Sequence, residues 1–131
     1  MRRRSVRGLW ASAALLAVLA GCAAPPKPVG LTDVMARPGE SALLAGMRAY
    51  DDAQYPQAER ALATALGAGL ESPRDRASAH KLLAFIYCSS NRVPECVDAF
   101  RAARAADPEF ALSRSEAGHP AWGPVYKRLA N

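Results

Sequence analysis

Three cysteines carry most of the chemistry that this sequence can offer. Cys22 closes the run Leu19-Ala20-Gly21-Cys22, a leucine and two small residues ahead of a thiol. That order looks like a bacterial lipobox, in which the cysteine is acylated and becomes the new N-terminus. Cys88 and Cys96 remain as a pair. In an oxidising compartment a disulfide between them would persist. Closing so short a loop would contribute about 2–3 kcal/mol in the chain-entropy account. Two free thiols packed as small hydrophobes are the other reading, since a bridge also needs cysteine Cβ vectors that point at each other.

The remaining reactive side chains do not assemble into a catalytic pattern. A structural zinc site wants four closely spaced ligands. Cys88 and Cys96 are eight positions apart and no histidine pair accompanies them. His80 fits a helix position otherwise filled by a large side chain, and His119, ahead of Pro120, fits a turn where its ring packs or bonds locally. Glu40, Asp51, Asp52 and Glu59 are scattered charges that suit solvated faces. No Gly-x-Ser-x-Gly and no phosphate-binding glycine loop occurs. The expectation is a protein without enzymatic activity, metal or cofactor, apart from covalent lipid on Cys22.

The residues ahead of Cys22 agree with an export signal. Arg2, Arg3, Arg4 and Arg7 form a positive start, and Leu9 to Ala20 is apolar apart from Ser12. That span is too short for a membrane-crossing helix, which needs about 20 apolar residues. It reads as a signal segment over residues 1–21. Removing it changes the charge balance. The whole chain has 17 Lys+Arg against 12 Asp+Glu, a net of +5, and four of those arginines lie in the leader. The mature chain keeps 13 basic and 12 acidic residues, a net of +1. Nucleic-acid binding would need a clustered basic face, so it is not expected. Ala23 and Ala24 follow the cysteine with no aspartate. By similarity to enterobacterial lipoproteins, that favours the periplasmic side of the outer membrane.

Elements must then hold whatever remains at a distance from the lipid. Residues 22–38 contain Pro25, Pro26, Pro28 and Pro38 and form a semi-extended tether. Residues 39–131 form one small domain. Helical spacing places Leu43, Leu44, Met47 and Tyr50 on one side of a helix over residues 40–53. A second helix starts near Pro56 with Ala58, Leu62, Ala65 and Leu66. A third opens at Ser72-Pro73-Arg74-Asp75, with Ser72 as N-cap and Asp75 at the positive helix end. A fourth starts near Pro94 and ends before Asp107-Pro108. A short one covers residues 124–129. No stretch alternates with period two, so the fold is all-α.

These helices repeat. A shift of 38 residues superposes Leu44 on Leu82, Gly46 on Ala84, Pro56 on Pro94, Ala58 on Cys96, Leu62 on Phe100 and Ala65 on Ala103. The pattern resembles the tetratricopeptide repeat, whose period is about 34 residues, with the extra residues in the linker around Gly67 to Arg74. A generic four-helix arrangement is the simpler alternative. Two such hairpins need a cap, and Trp122, Val125 and Tyr126 could cover the open end of the second. In tetratricopeptide-like hairpins the first helix of each pair lines the concave side. That would present Leu43, Met47 and Tyr50, then Lys81 and Phe85, with His119 and Trp122 as further candidates for partner contact. The same residues could instead seal the small core.

Two stretches carry a family resemblance. One is Ala79-His80-Lys81-Leu82-Leu83-Ala84-Phe85-Ile86-Tyr87-Cys88 with Cys96-Val97-Asp98-Ala99-Phe100. The other runs from Asp107-Pro108-Glu109-Phe110-Ala111-Leu112 to Glu116-Ala117-Gly118-His119-Pro120-Ala121-Trp122-Gly123-Pro124. They resemble the TssQ family of lipoproteins associated with type VI secretion. The resemblance implies an accessory lipoprotein serving a cell-envelope secretion assembly, and a scaffold for its components is the leading expectation; separately, two repeats could dimerise to finish their core. A pilotin-like escort for an outer-membrane secretion or pilus subunit, or a regulator of a cell-wall enzyme, are the competing expectations.

Overall fold

The computed structural model describes residues 30, 32–33 and 36–130. The expected signal segment, Cys22 and most of the expected tether lie outside the described residues. Six helices are found among them: α1 (Pro38–Asp51), α2 (Tyr55–Ala68), α3 (Pro73–Ser89), α4 (Val93–Ala106), α5 (Arg114–Ala117) and α6 (Gly123–Ala130). No strand occurs among the described residues. The all-α arrangement of two helical hairpins with a C-terminal helix, expected from the spacing, is the one observed.

Each of α1 to α4 carries proline in its first turn, where the missing N–H leaves no internal bond unmade. Pro38 starts α1 two residues earlier than the spacing suggested. Ser72 caps α3 by accepting a hydrogen bond from the Asp75 amide at 3.2 Å. The one-turn helix α5 was not foreseen. Its signal lies in Ser113 and Glu116, which form a capping box: the Ser113 hydroxyl accepts from the Glu116 amide, and Glu116 accepts from the Ser113 amide.

The hairpin turns show why the repeat keeps its 38-residue register. After α1, the Gln54 amide donates to the Ala49 carbonyl at 2.8 Å and the Ala53 amide to the Tyr50 carbonyl at 2.9 Å. After α3, Arg92 donates to Tyr87 at 2.8 Å and Asn91 to Cys88 at 3.2 Å. Both pairs form a Schellman motif, which needs a left-handed residue just past the helix. Ala53 (φ 57°) and Asn91 (φ 59°) supply it, 38 positions apart. Asparagine enters that region readily, whereas a left-handed alanine costs roughly 1–2 kcal/mol. Ala53→Asn is therefore expected to raise stability by about 0.5–1 kcal/mol. Chemical denaturation of both forms measures the difference, and an unchanged midpoint would mean that the strain is already relieved.

Burial follows the same register. Ala58, Leu62 and Ala65 in α2 are fully buried, as are their counterparts Cys96, Phe100 and Ala103 in α4. Gly46 permits the closer approach in the first hairpin. A Cβ there would stand 2.8 Å from Leu62 Cγ. The larger, fully buried Phe100 takes Leu62's place in the second hairpin, where Ala84 replaces Gly46. The hairpins meet through α2 against α3. Leu70, in the linker, joins the core, and Arg92 clamps the junction by giving both Glu59 oxygens a hydrogen bond at 3.0 Å. The Arg92 guanidinium also covers the Tyr87 ring at 4.3 Å. Cys88 and Cys96 are joined in a disulfide with their Cα atoms 5.2 Å apart, tying the end of α3 to the start of α4.

The C-terminal segment closes the second hairpin. The Tyr126 ring lies 5.3 Å from that of Phe100, its hydroxyl accepts from the Leu112 amide at 3.2 Å, and Arg104 donates to the Leu129 carbonyl.

Candidate functional site

The first helices of the two hairpins, α1 and α3, carry the positions that could meet a partner. On α3 that face is already occupied. Phe85 is only 4 % exposed because the Trp122 indole stacks on it, with ring centroids 4.0 Å apart and planes 17° off parallel. His119 covers the other side of the indole at 3.5 Å and 5°. Phe85, Trp122 and His119 thus form one aromatic stack. The Trp122 Nε1–H donates to the Glu116 carbonyl at 2.9 Å, so the indole's polar atom is satisfied inside the cap.

Beside the stack, Lys81 Nζ donates to Glu116 Oε1 at 2.7 Å. Burial alone would raise the Glu116 carboxyl, but the hydrogen bonds from Lys81 and Ser113 outweigh it and hold the group below its ordinary range. The capping box fixes Glu116 for this contact. Gly123 then lets the chain turn back over α5: a Cβ there would meet the Ala117 carbonyl oxygen at 2.5 Å. The His119 ring is oriented by its Nδ1, which accepts from the Ala121 amide at 3.2 Å. His119 is therefore a turn residue with local partners, as its place before Pro120 suggested.

Among the described residues, the corresponding face on α1 is uncovered at its centre. Leu43 is buried at 6 % exposure, and so it belongs to the core rather than to a groove; Phe85 is corrected in the same way. Met47, by contrast, is 40 % exposed. Tyr50 is half-buried and packs edge-on to the exposed Tyr55 ring at 5.6 Å. Burial raises the Tyr50 phenol above its ordinary value, and Tyr55, Asp51 and Glu116 push it the same way.

The seven candidate contact residues therefore divide. Lys81, Phe85, His119 and Trp122 come together in the cap, Leu43 seals the core, and Met47 and Tyr50 form an open patch on α1, with Tyr50 near enough to feel Glu116 of the cap. Sequence spacing missed Glu116, the acid that pairs with Lys81, although its place in Ser113-Arg114-Ser115-Glu116 marked a capping box.

His80 lies elsewhere. It lines an open cleft of about 320 Å³ with Leu83 and Tyr87 of α3 and Glu95, Asp98, Ala99 and Ala102 of α4. Burial lowers its imidazole below the ordinary histidine value. Among the described residues, no group of three or more His, Cys, Asp or Glu side chains is placed to hold a metal ion. None of the described helices is long and apolar enough to cross a membrane. Comparison with protein-family models, curated proteins and solved structures gave no match to this chain.

Proposed function

We propose that this chain is a lipid-anchored, periplasm-facing scaffold that binds protein components of a type VI secretion assembly at the outer membrane. Leu19-Ala20-Gly21-Cys22, closing an arginine-led apolar run ahead of a small domain of helical hairpins, is the observation that carries this reading. Each buried methylene of an acyl chain contributes about 0.8 kcal/mol to anchoring, and stable attachment takes more than one chain. An acylated cysteine bearing several chains would hold the domain at the membrane permanently. The domain itself then works by contact rather than by catalysis. The resemblance over residues 79–125 to the TssQ family supplies the secretion assignment.

Crosslinking in intact cells, followed by purification of the tagged full-length protein, tests the proposal. Recovery of a stable set of secretion-system proteins is the expected result. Recovery of a single secretin-like client would point to an escort, and recovery of a cell-wall hydrolase to a regulator. Either would overturn the scaffold reading.

A further inference from the structure

The two hairpins are equivalent in register, yet their first helices are not equally covered. The same shift that superposes Ala53 on Asn91, both left-handed, superposes Met47 on Phe85. Phe85 is sealed by the chain's own Trp122, with Glu116 reaching Lys81 alongside. Among the described residues Met47 has no such cover, and Tyr50 and Tyr55 extend its apolar surface toward the hairpin turn. The second hairpin thus displays, within one molecule, how this kind of face is filled: one large flat side chain lies on the helix residue, and a charged neighbour pairs at the rim.

The rim of the open face has the opposite charge preference from that of the covered one. Lys81 attracts a carboxylate, but its counterpart in α1 is Leu43. Asp51 stands four positions after Met47 on the same side of α1, and Asp52 caps the helix. Neither makes an ion pair among the described residues. The partial negative charge at the helix C-terminus adds to theirs. Arg48, the cation of that turn, is one position on from Met47 and so about 100° around the helix, where its i+4 neighbour is Asp52 and not Asp51. After burial and Tyr55, the charges that raise the Tyr50 phenol are those of Asp51 and Glu116.

We infer that the Met47–Tyr50 face of α1 docks a basic segment of another protein, which places one large apolar side chain on Met47 and sets lysine or arginine beside Asp51. This deepens the binding role proposed above and rests on it, while naming the chemistry of the partner rather than its identity.

The test uses the full-length protein in its own host, with p-benzoylphenylalanine in place of Met47 and, separately, of the exposed Ala63 on α2. After irradiation, the adducted peptides are mapped by mass spectrometry. The expected result is an adduct at position 47 at least about tenfold stronger than at 63, on a segment of net positive charge bearing a large apolar residue. Asp51→Lys should cut that adduct by about tenfold. Lysine near a helix C-terminus is favourable, so the melting temperature should be preserved. An adduct to a second copy of the chain, to lipid, or to an acidic or uncharged segment would overturn the inference. So would no excess over position 63, or an adduct undiminished by the charge reversal. A basic segment from a protein outside any secretion system would leave this inference standing and defeat the secretion assignment.

Discussion

Trp122→Ala is expected to lower the unfolding free energy of the domain by about 3–5 kcal/mol. The ring is 8 % exposed and sandwiched between Phe85 and His119, so truncation opens a cavity and uncovers one face of each neighbour. A small domain has a total stability of about 5–15 kcal/mol, which makes this a large share. Each kcal/mol shifts the melting temperature of a 60–100-residue domain by about 4–8 °C, so thermal unfolding should fall by roughly 12 °C or more. Trp122→Phe keeps one ring on Phe85 but loses the rest of the indole together with its Nε1 hydrogen bond to the Glu116 carbonyl. Its expected cost is about 1–2 kcal/mol. Equal losses in the two variants would mean that the hydrogen bond, and not the stack, holds the cap.

The disulfide is the second strong constraint. Replacing Cys88 and Cys96 together by alanine should cost about 2–3 kcal/mol from loop closure alone. Loss of the fully buried Cys96 sulfur adds a packing term. The bridge ties α3 to α4 at the turn where Asn91 is left-handed and Arg92 reaches Glu59. Guanidinium unfolding with and without reductant measures the effect. Reductant should bring the parent down toward the double variant and leave that variant unchanged. A parent indifferent to reductant, with two titratable thiols in the unfolded mature chain, would show that the bridge is not formed.

Much of this architecture was legible because local signals and burial agree. Pro56, Ser72-Pro73 and Pro94 mark helix starts by what proline and serine do to a first turn, and all three starts lie within a residue of their expected place. The repeat was legible through small residues, since Ala58, Cys96, Gly46 and Ala84 all stand where helices approach closely. The turn after α1 was not legible, because alanine gives no hint of a left-handed conformation and only the pairing with Asn91 reveals it.

The candidate face was harder to read. Helical spacing puts Leu43, Met47, Lys81 and Phe85 on the first helices but does not say what lies over them. Lys81 meets Glu116 across 35 residues, and Phe85 meets Trp122 across 37. Such distant partners leave no periodic trace. The division into a self-filled face on α3 and an open one on α1 is therefore a property of the fold.

Anchoring through Cys22 is the claim on which the envelope role depends, and intact-mass spectrometry of protein recovered from membranes tests it most directly. The expected species begins at Cys22 and exceeds the polypeptide mass by its acyl groups, while Cys22→Ser yields an unacylated protein free of the membrane. An unacylated chain that still carries residues 1–21, or a Cys22→Ser protein that stays membrane-bound, would contradict the account.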